Sequence, residues 1–366
     1  MKREGHLKSE QHTHSKLQNR KGWKVLAITL GACVILSACG NSNSITSDQA
    51  EQQSAEQASN NEASEKSNQE QNSTSEGTAM VTPDNFVDTL MKGSIEDIYR
   101  QLSPQMKEAI TLEKLKTSAD EFLEGVTSLD QVFAAEMNNL TEFAWKDQTG
   151  TKGIRAYFTE ANQIDGLLIQ PLETHEDTDQ KFTKTEFHFP LKGEWYVFWG
   201  GNDVMSNYHY EHETQRYALD IIRSKEGFSY NGDAKVNASY HAFGEPLYAA
   251  ADGTVVEIKN DIPDNVPGEM NPEEPTGNYV IIDHSKGEYS ITAHIKKGSV
   301  SVKKGDKLKQ GDLIGELGNS GNSSEAHLHF QVSDGPDLFT SRSMNIRWAD
   351  QSQQFTRGNT IQGLPE

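Results

Sequence analysis

Between Thr82 and Val126, apolar residues recur three and four apart: first Phe86, Val87, Leu90 and Met91, then Ile95, Ile98, Tyr99 and Leu102. Side chains at that spacing share one face of a helix. Thr82-Pro83-Asp84 reads as a helix start, with proline at an early position where a missing N–H is harmless. Three short helices are predicted here. After Leu129 the period shortens toward two, and "AEMNNLTEFAWKDQ", "GIRAYFTEA", "DGLLIQPLET" and "TKTEFHFPLKGEWYVFWGG" become candidate strands between Gly, Asp and Asn turns. Helices followed by a meander predict a small α+β domain over residues 81–199. From Gly200 to Trp348 short strands such as "YALDII", "NYVIIDH", "EYSITAHI" and "AHLHFQVS" alternate with glycine turns, and no convincing helix intervenes. The expectation is a mainly β domain over 200–348, an antiparallel sheet or sandwich, with 349–366 as a tail. One excursion, "DIPDNVPGEMNPEEPTG", carries four of the chain's eleven prolines and five acids. Connections of that length are more often functional or disordered than structural.

The chain's first part reads differently. Up to residue 38 there are seven Lys and Arg against Glu4 and Glu10, the last of them, Lys24, at the start of the apolar run "WKVLAITLGACVILSAC". That run is short for a bilayer span and right for the core of a signal peptide. Leu36-Ser37-Ala38-Cys39 resembles a bacterial lipobox, which implies a signal peptide over 1–38, lipidation of Cys39 and an extracytoplasmic protein held on the membrane by its lipid. The other cysteine, Cys33, would leave with the leader, so no disulfide is expected. Residues 39–80 are Ser, Gln, Asn and Glu with hardly an apolar side chain, and nothing there offsets the entropy of ordering. A flexible tether is expected.

With 366 residues there is room for two domains besides these segments. Net charge is −20, and removing the leader's +5 leaves about −25. Phosphate contacts need clustered Lys and Arg, so nucleic acid is excluded as a partner and an anionic membrane surface is disfavoured. Oligomeric state is not legible.

The chemistry concentrates in "EAHLHFQVSD", residues 325–334. Side chains at i and i+2 of a strand point to one face, so His327 and His329 project together while Leu328 and Phe330 face the other way. Asp220 lies in an apolar strand, Tyr217 to Ile222, where a carboxylate is costly unless it meets a cation or donors. "GNYVIIDHSKGEYSITAHI" and "VKKGDKLKQGDLIGELGNSGNSSEAHLHF" resemble the lysostaphin/LytM-type zinc metallopeptidases, which cut peptide bonds in peptidoglycan. The resemblance covers residues 200–340. It implies one zinc ion, His294 and His327 as catalytic, and Asp220 and His329 as metal ligands.

One position departs from the pattern. The family's remaining ligand, a histidine, stands four residues before the aspartate, and here that residue is Arg216, which cannot bind zinc. In a branch of the family an Asn-x-His element lies about eleven residues upstream of the aspartate. His209 fits that spacing, and His212 competes with it. The alternative is an incomplete site in a domain that only binds peptidoglycan or regulates another hydrolase. A lipoyl-type carrier, suggested by the Gly-Asp repetition of "VKKGDKLKQGDLIGEL", lacks the required exposed lysine turn. His175, His188, His241 and His284 are read as satisfied or solvated. The segment before residue 200 resembles the small cystatin-like or nuclear-transport-factor-like domains that precede catalytic domains in some bacterial lipoproteins. The acidic excursion is the expected wall of the substrate groove, and its charge favours amine-bearing stem or cross-bridge peptides.

Overall fold

The computed structural model describes residues 26–29, 80–137 and 139–365. Cys39 and nearly all of the expected tether lie outside them. Of the expected leader only Leu26–Thr29 is described, as an edge strand antiparallel to Ile164–Pro171. Among the described residues no helix is long and apolar enough to cross a membrane.

The helical stretch contains four helices where three were expected: Pro83–Met91, Ile95–Gln101, Pro104–Ala109 and Leu112–Leu123. The extra boundaries have local causes. Pro104 cannot continue a preceding helix, and Ser103 caps the new one by accepting from the Met106 N–H at 3.3 Å. Thr111 does the same for Lys114 at 3.3 Å. Their apolar faces, with Phe86, Leu90, Ile98 and Phe122 buried, pack on an antiparallel meander of Leu129–Met137, Leu140–Asp147, Lys152–Thr159 and Ile164–Pro171. "AEMNNLTEFAWKDQ", expected as one strand, is the corner of a hairpin, because Asn139 takes a left-handed conformation (φ 64°) that asparagine tolerates well. A short helix, Glu176–Asp179, follows. This is a small α+β unit.

The remainder is mainly β. Its sheet has eight antiparallel strands among the described residues, in the order Lys307–Leu308, Gly253–Lys259, Asn278–Asp283, Tyr289–Ile295, Leu328–Ser333, Leu219–Ile222, Glu194–Trp199 and Thr360–Gln362. Two of these strands lie beyond the expected limits of the β domain. Glu194–Trp199 pairs with Leu219–Ile222, and Thr360–Gln362, from the expected tail, pairs with Glu194–Trp199. The reason is burial: Trp195, Val197 and Ile361 are each at most 1% exposed within one core shared with Leu328 and Phe330. Each such side chain contributes on the order of 1.5–3 kcal/mol when removed from water. Phe182–Phe187 is also carried by this part of the molecule, running parallel to Asn345–Trp348.

Candidate metal centre

Asp220 and His329 sit directly opposite one another where Leu219–Ile222 pairs with Leu328–Ser333. On its other side His329 is opposite Ala293, the residue before His294. His209 arrives from outside the sheet, on the 3-10 turn Tyr208–Glu211. The structure thus brings together His209, Asp220, His294, His327 and His329, all buried. His212 stays half-buried at the end of the 3-10 turn and takes no part in the cluster. His284 lies elsewhere, bonded to the Asp252 carbonyl and Ser290.

Each ring is held by a partner that fixes which nitrogen faces the cluster. Asn207 donates its amide to the carbonyls of Gly201 and Ala218, at 3.2 and 3.0 Å, so its side-chain oxygen faces His209. That oxygen accepts from the backbone N–H and from Nδ1 of His209, at 3.2 and 2.9 Å. The lone pair of His209 is therefore on Nε2, which is buried and has no hydrogen-bond partner. Its neighbour is Asp220 Oδ2 at 3.6 Å. Gln331 donates to the Thr214 carbonyl at 3.0 Å and presents its oxygen to His329 Nε2 at 3.1 Å. With that proton on Nε2, His329 Nδ1 and Asp220 Oδ1 are two acceptors facing each other at 2.9 Å. Only a proton or a cation between them makes that contact favourable.

A metal ion satisfies both features at once. One ligand atom from each of His209, Asp220 and His329 lies within 4.8 Å of the others. Tetrahedral zinc with bonds of about 2 Å needs donors roughly 3.4 Å apart, and three protein ligands leave a fourth position open. Two imidazoles and one carboxylate are the donor types zinc takes, so the residues fit the group. Arg216, standing where the common pattern has a histidine, braces the turn instead, donating from Nε to the Tyr210 carbonyl at 3.1 Å.

His294 and His327 flank this trio, with ring centroids 4.7 Å apart. His294 Nδ1 donates to the Ser320 carbonyl at 2.8 Å, and His327 Nδ1 donates to the Glu325 carbonyl at 2.9 Å. Carbonyls only accept, so both rings keep their lone pair on Nε2. His327 Nε2 lies 3.6 Å from Asp220 Oδ1. His294 has a left-handed backbone (φ 58°), uncommon outside glycine, and its N–H is held by the Thr276 carbonyl at 3.1 Å.

Burial governs the charges. It lowers His209 to about 3 and depresses His327; His294 is lowered well below 6.5 by burial and by His327 beside it. All three are neutral imidazoles at neutral pH. Burial alone would raise the Asp220 carboxyl, but His209, His327 and the His329 hydrogen bond outweigh it and hold Asp220 ionised. His329 goes the other way: burial lowers it, and the Asp220 contact more than offsets that.

Access is narrow. A cavity of about 30 Å³ reaches His294 and His329 between Tyr208, Thr276, Gln331 and Phe339. The 261–277 excursion forms one side, pinned by the Asn271 N–H to the Gly321 carbonyl and the Asn322 N–H to the Pro275 carbonyl. Its Pro275 and Thr276 line the opening. The expectation that its acids select an amine-bearing peptide gains nothing, since Pro275 and Thr276, not the acids, line the opening.

Sequence reading did not identify Gln331 and Asn207 as the groups that orient His329 and His209. The Asn-x-His spacing was the available signal for Asn207. For Gln331 it was the alternation that places it on the histidine face of its strand.

The fold and site define a metallopeptidase-like β domain, and sequence comparison agrees. Residues 236–341 match the model of Peptidase family M23. Peptidoglycan DD-endopeptidase ShyA of Vibrio cholerae is 34% identical over 89 residues, 24% of this chain and 17% of that protein. An uncharacterized metalloprotease of Buchnera aphidicola is 35% identical over 89 residues, 24% of this chain and 20% of that protein. The chain thus spans a fifth or less of the length of these curated relatives. Among solved structures, the catalytic domain of lysostaphin from Staphylococcus simulans shares 26% identity, covering 32% of this chain and 87% of that one, with a TM-score of 0.22. The similarity to Peptidase family M23 is thus confined to residues 236–341, within the stretch where the lysostaphin/LytM-type resemblance lies. His294, His327 and His329 fall inside the matched residues, whereas His209 and Asp220 precede them.

Proposed function

We propose that the protein is a zinc-dependent endopeptidase hydrolysing peptide bonds in bacterial peptidoglycan. The observation that carries this is the buried trio of His209, Asp220 and His329, with an unpartnered Nε2 on His209 and two acceptors opposed between His329 and Asp220. His209, Asp220 and His329 would hold the ion. When bound, zinc supplies a Lewis acid for a peptide carbonyl and lowers the pKa of water from 15.7 to about 7. His294 and His327 then manage protons. Each is a neutral imidazole with its lone pair on Nε2, so one of them takes a proton from the attacking water, becomes an imidazolium, and then hands that same proton to the departing amine. Their carbonyl partners hold the Nδ1 protons in place and leave Nε2 as the atom that gains and loses a proton.

The test is release of new amino groups from purified peptidoglycan, with chelator and with added zinc. Chelator-sensitive release is expected. His294→Ala and His327→Ala should retain zinc and lose release, whereas His209→Ala should lose zinc and His212→Ala should not. One observation favours a second reading, a domain that binds the wall without cutting it: of the five clustered residues only His294 and His329 line the opening, and His209, Asp220 and His327 do not. Zinc-loaded protein that binds peptidoglycan and releases nothing would establish that reading instead.

The location belongs to the same proposal. The lipobox-like Leu36-Ser37-Ala38-Cys39 supports attachment to the outer face of the cytoplasmic membrane, with residues 39–80 as the reach to the wall and the small α+β domain between. Labelling with a fatty-acid analogue should follow Cys39 and vanish in Cys39→Ala.

A further inference from the structure

The segment that carries His209 leaves the sheet at Trp199, loops outward and returns at the 3-10 turn. Its inner side is held by Asn207 and by the Gly200 N–H on the Ser206 carbonyl. Its outer side rests on the α+β unit, which sequence reading left without a role. Met205 is fully buried among Phe133, Ala144 and Leu172, and a Cβ placed on Gly153 would stand 2.8 Å from its sulfur. Lys146 pairs with Asp203 Oδ2 at 3.0 Å, and Asp203 Oδ1 accepts from the N–H groups of Met205 and Ser206 at 2.9 and 3.0 Å.

Behind this contact lies a buried charge network. Glu142 pairs with Arg155 through one oxygen, 3.0 Å from Arg155 Nε as an ion pair without a hydrogen bond, and accepts from Arg357 Nε and Nη2, at 3.0 and 2.5 Å, through the other. All three side chains are less than 10% exposed. Two guanidiniums and one carboxylate out of water seldom stabilise a fold more than apolar groups of the same volume would. What such a network does provide is directional donors. Arg357 donates from Nη1 to the Phe198 carbonyl, and Arg155 donates from Nη2 to the Met205 carbonyl. These are the two ends of the loop. The Arg357 guanidinium also lies 3.9 Å from the centre of the Trp199 ring, whose edge meets Tyr208, the residue before His209.

We propose that Glu142, Arg155 and Arg357 are positioning residues for the metal centre: they clamp both ends of the 198–205 loop and so place His209 against Asp220. The α+β unit is then part of the peptidase site and not a separate module strung before it. This inference rests on reading His209 as a ligand.

Arg155→Met is the decisive variant, since it leaves Glu142 its two hydrogen bonds from Arg357 while removing the ion pair to Glu142 and the donor to the Met205 and Val204 carbonyls. In the full chain, zinc affinity measured by chelator competition should weaken about 10- to 100-fold, the range typical of groups that orient a ligand. Amide hydrogen exchange in the metal-free protein should quicken over residues 200–212 and stay unchanged over 278–295. Arg155→Lys, which keeps the charge toward Glu142, should recover part of the affinity. Asp203→Ala, at a more exposed turn, should shift both readouts the same way by less, and decides the matter if Arg155→Met does not fold. Unchanged zinc affinity and unchanged exchange in a folded variant would overturn the inference. If the unaltered chain binds no zinc, or His209→Ala binds as well as it does, the ligand reading fails; exchange in the metal-free variants still decides whether the clamp exists.

Discussion

At the scale of single residues, the buried polar groups around the site have partners that dictate their form. Gln331 illustrates this, because its amide is oriented by the Thr214 carbonyl and so settles where His329 carries its proton. Gln331→Leu should weaken zinc by about 10-fold or more, while Gln331→Glu, which keeps an acceptor, should hold it better; competition with a chromogenic chelator measures both. Glu325 makes a different case. It is buried, accepts from the Ser229 hydroxyl at 3.2 Å, and burial pushes its carboxyl up from 4.5 to about 7. A raised pKa means the stability associated with the protonated form is complete below about pH 4.5 and is lost as pH rises through 7. Each pKa unit is about 1.4 kcal/mol, so the loss approaches 3 kcal/mol at pH 8. Glu325→Gln should abolish that slope and be the more stable protein at pH 8, as urea unfolding at pH 5 and pH 8 would show.

At the scale of elements, alternation and turn residues made most strands legible, and His327 and His329 were legible as a pair because period two puts them on one face. Which strands pair was not legible. "TKTEFHFPLKGEWYVFWGG" reads as strand whichever sheet it joins, and its place beside Leu219–Ile222 depends on where Trp195 and Val197 find a core. The 261–277 excursion was likewise recognisable as a loop near the site, but not its seat. That seat depends on Gly321, whose backbone is left-handed (φ 83°) and where a Cβ would stand 2.3 Å from the Gly277 nitrogen. Gly321→Ala must push the loop away from the turn that leads to His327. We expect a loss of about 1–3 kcal/mol from strain alone, visible in thermal unfolding. A faster-exchanging 265–277 segment should accompany it, because the Asn271 and Asn322 hydrogen bonds span this contact.

At the scale of the whole molecule, the sequence suggested two domains meeting near residue 199, which implies that a cut there is harmless. The sheet runs through that point. A fragment of residues 200–366 loses Glu194–Trp199, which lies between Leu219–Ile222 and Thr360–Gln362, and with it the buried Trp195 and Val197. It also strands Arg357, whose carboxylate partner Glu142 is 215 positions away. A contact between residues that distant leaves no periodicity or motif to read. The fragment should therefore be insoluble or bind an exposed-hydrophobic dye, whereas residues 80–366 should unfold in one cooperative step. A cut at residue 173 separates the two losses. It restores Glu194–Trp199 and the Asp179 contacts to Tyr210 and Tyr217, but still lacks Glu142 and Arg155. Residues 173–366 should fold with near-native β circular dichroism and bind zinc more weakly than residues 80–366. Equal zinc affinity in the two would mean that the sheet alone places His209, and the α+β unit would then need another purpose.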